Sequence, residues 1–341
     1  MNHLWFERGA YASKKVRRYI ANDFDPKQIK KVSIIRHAAL GDQVIARPFI
    51  VEARKFFPNA TITLVPVSNY MYGIPSDLVD RVHIMQGKES GEKVTTKEKL
   101  ANIRQLGEQD IIFDLASTNR SHWMMALSKA KIKMGFPYKW YYRGTLYNTA
   151  VYRSDFQPEV ECMLDMLKLL GHNPNHPLDF AFPDNRVLRQ KNNPFVLYFN
   201  GASQQRKILA REQMHSLLEQ SVKENQDYVH IYLEGKNDFE KGDFFQDLLK
   251  YQNFKIQPCL PLEELVGLSA KATLMVAPDT GVRNIAIATH TPTVSPFFAT
   301  VPFRYTPLYE NHDIVMAPSG VTPSNEQICQ IIRERLQQSE L

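Results

Sequence analysis

The chain has 341 residues, of which 43% are hydrophobic and 23% charged, a composition typical of folded globular proteins rather than disordered, collagenous or coiled-coil chains. Its length predicts two domains, each large enough to bury a core. The sequence shows no apolar run of about 18 residues that would predict a membrane span and no apolar secretion signal at its start. The cysteines, Cys162, Cys259 and Cys329, are far apart and odd in number, which favours a reducing cytoplasm over a disulfide framework or zinc cluster.

The net charge of +6 is concentrated in two basic stretches. Residues 1–31 carry eight Lys/Arg and three Asp/Glu, and residues 115–154 carry seven Lys/Arg and no acidic residue. Such stretches favour an anionic partner, which could be a lipid surface, a phosphorylated glycan or a nucleic acid.

Residues 1–30 are predicted to form a basic amphipathic segment that precedes the first domain. Apolar and basic residues interleave there at roughly helical spacing: Trp5, Phe6, Lys14, Lys15, Val16, Arg17, Arg18, Tyr19 and Ile20. Such a helix suits an anionic bilayer surface. The alternative is a helix that packs on the domain and leaves its basic residues solvated.

From Lys31 onward, short apolar strands alternate with helical patterns, which predicts parallel sheets with right-handed crossovers. The predicted strands are Val32–Ile35, Ala60–Val65, Arg81–Met85, Asp110–Leu115, Phe195–Phe199, Tyr228–Leu233 and Ala272–Ala277. The predicted helices include 160–170, Glu212–Val222, Phe239–Tyr251, Val282–Thr289 and Ser324–Gln337. We therefore expect an α/β fold with two doubly wound Rossmann-like domains, 31–175 and 195–341, that face a central cleft and are joined by a Pro- and Asn-rich linker at 176–194. The last helix is free to pack back on the first domain.

The loop after the first predicted strand holds a candidate catalytic residue. Arg36 ends the strand, and Leu40-Gly41-Asp42 opens the next helix. Asp42 stands where an N-cap would, so helix capping alone would explain it. The alternative is a carboxylate at the carboxyl edge of the sheet that acts as a general base on a hydroxyl group.

Two loops of the second half combine small residues with a helix start or with cations. Pro278-Asp279-Thr280-Gly281 precedes a predicted helix, whose first N–H groups suit a phosphate. Asn200-Gly201-Ala202-Ser203 precedes Arg206 and Lys207, and a cation there would neutralise a leaving diphosphate without a metal. Since a carboxylate beside a phosphate is unfavourable, we expect Asp279 to fix its loop or to accept from a sugar hydroxyl.

Several enzyme classes lack their motifs in this sequence. There is no G-x-G-x-x-G after the first strand, no G-x-x-x-x-G-K-[ST], no H-E-x-x-H and no G-x-S-x-G. Asp23-Phe24-Asp25 matches the D-x-D of metal-dependent sugar transferases, but it precedes the first core strand. We interpret it as a surface turn and predict no metal site.

Taken in order, the motifs resemble those of one family. The first part of the chain has a strand ending in Arg36, then Ala39-Leu40-Gly41-Asp42, Pro48 and a helix ending at Phe57-Pro58-Asn59-Ala60. These features resemble the start of the ADP-heptose:lipopolysaccharide heptosyltransferases, glycosyltransferase family 9. The Asn200–Ser203 loop with Lys207 and Asp279-Thr280-Gly281 resemble the later motifs of that family. The resemblance runs from about Lys31 to the C-terminal helix.

This resemblance implies a GT-B fold and an inverting, metal-independent transfer of heptose from ADP-heptose to the anionic inner core (Kdo or heptose) of lipopolysaccharide, without a cofactor. Asp42 would be the base, Lys207 would hold the donor diphosphate, and an acidic residue after Gly235, Asp238 or Glu240, would hold the donor ribose. The implied donor-binding residues are Ser203, Lys207, Glu240, Asp279, Thr280, Gly281 and Asn284. Domain 31–175 would bind the acceptor and domain 195–341 the nucleotide sugar. The expected location is the cytoplasm, with peripheral contact to the inner membrane.

Two departures from the family pattern fall on the donor side. Asn284 stands where the family usually has His, and an amide cannot be cationic. Lys207-Ile208-Leu209-Ala210 replaces the usual Lys-Arg-Trp-Pro. These two departures leave two alternative functions open: transfer of a different donor sugar, or binding of a glycan or membrane by a catalytically silent protein. A nucleotide-sugar epimerase is a further alternative. The basic stretch 115–154 favours a transferase, because it could bind a second substrate and an epimerase needs none.

The second basic stretch is interpreted as the acceptor region. Arg36, Arg120, Lys139 and Arg143 are its predicted acceptor-binding residues, beside the further cations Lys129, Lys131 and Lys133. Trp123, Trp140, Tyr141 and Tyr142 are interleaved with them, and cations with aromatic platforms suit anionic sugars. A solvated basic surface is the alternative, and nucleic acid is the least favoured partner.

Overall fold

The computed structural model describes residues 9–87, 95–309 and 311–339. The chain divides into two compact units, 1–181 and 182–341. Trp5 and Phe6, part of the predicted amphipathic segment, lie outside the described residues.

The described part of the first unit is built on a seven-stranded sheet. Its strands are β1 (Ala10–Ala12), β2 (Lys31–Ile35), β3 (Thr61–Val65), β4 (Arg81–Val82), β5 (Gln109–Asp114), β6 (Ala130–Gly135) and β7 (Thr149–Val151). Its helices are α1 (Lys14–Asn22), α2 (Leu40–Phe56), α3 (Thr96–Gln105), α4 (Asn119–Leu127), α5 (Tyr142–Thr145) and α6 (Glu159–Lys168).

The strand order of this sheet is β1-β7-β6-β5-β2-β3-β4. β1 runs antiparallel to β7, and the other neighbouring pairs are parallel. The chain moves from β2 to β3 on one side and returns to β5 on the other, so the sheet reverses its winding between β2 and β5. The carboxyl ends of strands at such a switch point are where open α/β sheets bind ligands.

Residues 9–30 contribute a strand and a helix to this unit. β1 pairs with β7 at the sheet edge, and α1 buries Val16. The ring of Tyr19 contacts Phe24 edge-on at 6.0 Å, and Phe24 in turn contacts Phe56 of α2 at 6.1 Å. The apolar side of α1 thus packs on the unit, while its basic residues, Lys14, Lys15, Arg17 and Arg18, are exposed.

The second unit is built on a six-stranded sheet, ordered β10-β9-β8-β11-β12-β13 and parallel throughout. Its strands are β8 (Phe195–Tyr198), β9 (Val229–Leu233), β10 (Phe254–Gln257), β11 (Leu274–Val276), β12 (Thr293–Pro296) and β13 (His312–Val315). Its helices are α7 (Asn185–Leu188), α8 (Arg211–Glu224), α9 (Leu262–Ser269), α10 (Gly281–Ala288) and α11 (Asn325–Ser339). The switch point of this sheet lies between β8 and β11.

The boundary between the units, at residues 181 and 182, falls within the segment 176–194. α7 lies in the same segment and is tied to the second unit, because the Asn185 amide donates to the carbonyls of Ala270 and Ala272. The final helix, α11, packs against α8, β12 and β13. Its residues Ile328 and Ile332 are buried in the core of the second unit.

Two predicted elements differ from the observed ones. The strand predicted at 81–85 stops at Val82, because its neighbour Pro66 has no N–H for the ladder; Met85 forms only an isolated bridge to Val67. The helix predicted at 239–251 consists of 3₁₀ turns, Asp238–Glu240 and Gly242–Lys250, separated by the extended residue Lys241. The Glu234 carboxylate accepts the Gly242 N–H at 2.8 Å and thereby fixes this break.

Among the described residues, no helix combines the length and apolarity that crossing a bilayer requires.

Candidate active site

Asp42 lies in the first turn of α2, just after the carboxyl end of β2. The N-cap of this helix is Ala39, so Asp42 is not its capping residue. The side chain of Asp42 is 42% exposed, so its carboxylate is accessible to a substrate. A negative charge in the first turn is also favoured by the helix dipole.

Arg36 fixes the backbone on which Asp42 is carried. Its guanidinium is only 4% exposed, and its Nε and Nη2 donate to the Asp42 carbonyl oxygen at 3.1 and 2.9 Å. Nη1 donates to the carbonyl of Leu115, which follows β5, at 2.9 Å. Nη2 also lies 3.6 Å from Oδ1 of Asp42. Arg36 thus joins the loops after β2 and β5, and its guanidinium is buried rather than presented to solvent.

Glu159, at the start of α6, neutralises this buried arginine. Its Oε1 accepts from Nη1 and Nη2 of Arg36, each at 3.1 Å, and its Oε2 accepts from Arg153. Burial by itself would raise the pKa of Glu159, but the two guanidinium groups outweigh burial and hold that pKa below its ordinary value. The sequence analysis missed both Glu159 and Arg153, which stand far from any motif.

His37 occupies the same edge of the sheet. Its Nδ1 lies 3.2 Å from the Thr118 hydroxyl at the start of α4. Burial, followed by the charges of Arg120 and Arg36, lowers the pKa of His37 to about 3, so the imidazole is neutral at physiological pH. Of the predicted acceptor-binding residues, Arg120 therefore lies near the Asp42 loop.

The other two predicted acceptor-binding cations lie around α5. Lys139 is exposed, and its ammonium lies 5.8 Å from the ring centroid of Tyr141. Arg143 donates to the carbonyl of Trp140 at 3.2 Å and to the hydroxyl of Tyr152 at 2.9 Å. Arg143 thereby holds the chain segment between β6 and β7.

In the second unit, Lys207 and Asp279 meet at the switch point between β8 and β11. The ammonium of Lys207 lies 2.7 Å from Oδ2 of Asp279, and their side chains are 18% and 10% exposed. The Thr300 hydroxyl donates to the same oxygen at 2.9 Å. The Asn200 amide secures the loop that carries Lys207 by pairing with both the N–H and the carbonyl of Leu209, and Ser203 is exposed on that loop.

Thr280 and Gly281 form the start of α10. Thr280 is the N-cap residue but its side chain makes no capping bond, and Gly281 is the first helical residue. The first hydrogen bond of the helix runs from the Asn284 N–H to the Thr280 carbonyl oxygen, at 3.1 Å. The side chain of Asn284 is buried, and its Oδ1 has no hydrogen-bond partner among the described residues.

Arg283, also missed by the sequence analysis, anchors the start of α10 from within. It is fully buried and donates to the Ser295 hydroxyl, the Tyr305 carbonyl and the Thr306 hydroxyl at 2.6, 3.0 and 2.7 Å. Burial lowers its pKa to about 10, which leaves it charged at neutral pH. The cation therefore adds positive charge beneath the helix start.

Glu240 lies between two glycines that approach it closely. It is 5% exposed, and its Oε2 accepts the N–H of Asn237 at 3.0 Å. A Cβ atom on Gly235 would lie 2.0 Å from Oε2, and one on Gly201 would lie 2.5 Å from Oε1. Only glycine at these two positions leaves room for the carboxylate, which lies between the loops after β8 and β9.

No group of three or more His, Cys, Asp or Glu side chains suited to a metal ion occurs within 9–87, 95–309 and 311–339.

Comparison with known proteins identifies the family. The model of glycosyltransferase family 9 (heptosyltransferase) matches residues 100–332, about two thirds of the chain. The chain belongs to this family. It is therefore a glycosyltransferase, as the motifs predicted.

Individual heptosyltransferases are similar to this chain over most of its length. Lipopolysaccharide heptosyltransferase 1 of Campylobacter coli is 22% identical over 80% of this chain and 85% of its own. The E. coli heptosyltransferase WaaC with ADP is 18% identical, with a TM-score of 0.70 over 89% of this chain and 99% of that one. The E. coli ADP-heptose lps heptosyltransferase II is 16% identical, with a TM-score of 0.67 over 91% and 100%. These similarities confirm the predicted α/β fold of the GT-B class.

Proposed function

We propose that this family 9 enzyme transfers heptose from ADP-heptose to the anionic inner core of lipopolysaccharide, with inversion and without a metal. The exposed carboxylate of Asp42, held by the buried Arg36 at a sheet switch point, carries the mechanism. The donor and acceptor named in the Campylobacter coli and E. coli relatives support the choice of substrates. The expected site of action is the cytoplasmic face of the inner membrane.

In the proposed reaction, Asp42 takes the proton of the acceptor hydroxyl. The hydroxyl oxygen then forms a bond to the anomeric carbon, on the face opposite the diphosphate. The bond between that carbon and the phosphate oxygen breaks, and its electron pair leaves with ADP. Because attack and departure occur on opposite faces, the configuration at the anomeric carbon inverts.

The donor groups proposed for ADP lie in the second unit. Lys207, together with the N–H groups at the helix start formed by Thr280 and Gly281, where no side chain makes a capping bond, neutralises the departing diphosphate. Glu240 is proposed to bind the ribose hydroxyls. Ser203 and Asn284 are proposed to complete the donor site, while Asp279 orients Lys207.

For the acceptor side, Arg120 and Lys139 are proposed to contact the anionic sugars. Arg36 and Arg143 receive a revised role, because their guanidinium groups donate to protein carbonyls and side chains. We propose that Arg36 positions Asp42 and that Arg143 positions the segment that carries Lys139.

The base assignment is tested by Asp42→Asn. An amide cannot take the hydroxyl proton, so the transfer rate should fall by about 10²–10⁴-fold, as for loss of a general base. ADP affinity, measured by calorimetry, should stay unchanged because the proposed ADP groups belong to the second unit. A normal transfer rate in this variant would refute the assignment.

A second candidate, transfer of a different sugar, is favoured by the buried and unpartnered Oδ1 of Asn284. The discriminating assay offers ADP-heptose and other nucleotide sugars with a truncated lipopolysaccharide core and identifies the product by mass. Parallel reactions with a chelator test the metal independence. Absence of product with every donor would instead favour a silent binding protein.

A further inference from the structure

The first unit exposes large aromatic side chains in one region. Phe156, Trp140, Trp123 and Tyr138 are 85%, 78%, 66% and 59% exposed, and Tyr141 is 43% exposed. We call these five residues the aromatic ridge. Single exposed apolar residues are common, but a connected group of them marks an interaction surface.

Ring contacts join two members of the ridge and continue from them toward α4. Trp140 meets Tyr141 edge-on at 6.0 Å, and Tyr141 meets Tyr142 at 4.9 Å. Tyr142 contacts His122, the neighbour of Trp123 in α4, at 4.6 Å. Tyr142 and His122 therefore bridge the rings of Trp140 and Tyr141 to α4, the helix that carries Trp123.

The partly buried side chain of Arg153 bonds one of the remaining two members and lies close in sequence to the other. Arg153 donates to the hydroxyl of Tyr138 at 2.6 Å, and Phe156 follows three residues later in the chain. Arg153 is also a partner of Glu159, so this end of the ridge adjoins the network that holds Asp42.

Four of the five ridge residues lie in segments that leave the sheet on the same edge as Asp42. Tyr138, Trp140 and Tyr141 follow the carboxyl end of β6, and Phe156 follows that of β7. Because β2, β5, β6 and β7 are parallel, these segments leave the sheet on the edge where the Asp42 loop begins.

The charge around the ridge is of one sign. Residues 115–154 contain seven Lys/Arg and no acidic residue. Two of these cations serve the fold, since Lys131 pairs with Asp110 at 3.2 Å and Lys133 donates to the Met125 carbonyl. Lys139 lies within the ridge, beside the ring of Tyr141.

We propose that the aromatic ridge inserts into the interface of an anionic lipid bilayer and docks the enzyme there. Trp and Tyr favour the headgroup level, where the ring is half in hydrocarbon and the polar atom meets water, and nearby cations are attracted to anionic lipid. Helix α1 exposes cations but packs its apolar side inward, so the ridge supplies the apolar contact that α1 lacks. The inference rests on the proposed function, in which the acceptor is anchored in a membrane.

The positions of the tryptophans allow a direct test. The chain has three, Trp5, Trp123 and Trp140, and the last two belong to the ridge. In a Trp5→Phe protein, both remaining reporters lie on the proposed surface. Phosphatidylglycerol-containing vesicles should shift the fluorescence emission of these two tryptophans to the blue, and brominated acyl chains should quench it. Pure phosphatidylcholine vesicles should have a smaller effect.

A matched pair of variants tests the residues themselves. Trp140→Ser/Phe156→Ser should weaken sedimentation with phosphatidylglycerol-containing vesicles by about tenfold or more, because it removes two large apolar side chains. The control is Val187→Ser/Leu308→Ser, which alters side chains that are 81% exposed in the second unit. This control should bind vesicles like the parent protein, and circular dichroism checks the fold of both.

Transfer to vesicle-bound acceptor should fall in the ridge variant by a larger factor than transfer to a delipidated core glycan. An unshifted emission with anionic vesicles, or unchanged sedimentation of the ridge variant, would overturn the proposal. Equal loss with both acceptors would instead assign the ridge to sugar binding, and a lost dimer by light scattering would assign it to self-association. Vesicle binding is measured without donor, so failure of the transferase assignment leaves this test valid.

Discussion

In the contact between Lys207 and Asp279, the carboxylate holds the ammonium group in position before a diphosphate binds. The ammonium lies 2.7 Å from Asp279, which the Thr300 hydroxyl also fixes. Because both side chains are largely buried, Lys207 pays little further entropy when a diphosphate binds. Asp279 limits the affinity for the anion at the same time, since the two negative groups compete for one ammonium.

Lys207→Ala should therefore weaken ADP binding. Loss of one hydrogen bond to a charged group, about 1.5–3 kcal/mol, corresponds to a rise in Kd of about 10–150-fold. The matched control is Arg206→Ala, because Arg206 is exposed and its Nε donates to Gln204. Calorimetric titration with ADP should give a near-normal Kd for the control. Equal losses in both variants would indicate general electrostatic attraction rather than a defined contact.

At the scale of elements, helix α6 supports the loop that carries Asp42. Its first residue, Glu159, holds Arg36 and Arg153 together, and Arg36 in turn bonds the backbone of α2 and the end of β5. The first turn of α2 thus depends on the carboxylate that Glu159 of α6 supplies.

Glu159→Gln should destabilise the first unit by about 3–5 kcal/mol near neutral pH, because it leaves the buried guanidinium of Arg36 and the largely buried one of Arg153 without their anion. The folded-state pKa of Glu159 is below the ordinary value of 4.5, so its contribution is complete above pH 4.5 and is lost as the pH falls below that value. The difference between the variant and the parent in urea unfolding should therefore shrink in acid.

Asp165→Asn is the control on the same helix. Asp165 pairs with Lys168 at 2.9 Å and is 31% exposed, so its loss should cost no more than about 1 kcal/mol. A Glu159→Gln protein as stable as this control would show that the buried network does not stabilise the unit.

At the scale of the whole molecule, the division into two compact units separates the proposed tasks. All of the residues proposed to bind ADP belong to 182–341, and Asp42 belongs to 1–181. ADP binding should therefore raise the stability of the second unit directly and leave that of the first unit unchanged.

ADP at about 100 times its Kd should stabilise the second unit by about 2.7 kcal/mol, through preferential binding to the folded state. Amides of β8 and β11 that exchange through unfolding of this unit should then exchange about 100-fold more slowly. Amides of β2 and β5 should be unaffected. Hydrogen exchange read by mass spectrometry measures both sets at once, and protection confined to the first unit would contradict the placement of the donor site.

The sequence predicted the parts of the fold that have a strong local pattern. The apolar strands β2, β3, β5, β8, β9 and β11 were all predicted, because each is a short hydrophobic run before a loop. β6 was missed because Lys131 and Lys133 alternate with apolar residues, and the stretch was interpreted as a ligand surface. The structure shows that these two lysines serve the sheet and α4 instead.

The candidate site was predictable where a motif follows a strand, and otherwise not. Asp42, Lys207 and Asp279 stand in such motifs, and the structure brings the last two into contact. Glu159 and Arg283 were missed because their roles depend on partners far along the chain, such as Arg36 and Thr306. Spacing along a sequence does not report contacts of this kind.

The short strand β1 has a practical consequence. By pairing with β7, Ala10–Ala12 covers the N–H and C=O groups on the open side of β7, so the outermost strand is a three-residue antiparallel one rather than a bare parallel edge. Such edges template pairing with other chains and lead to aggregation. A protein that lacks Ala10–Ala12 should therefore lose solubility, and an affinity tag should not replace these residues.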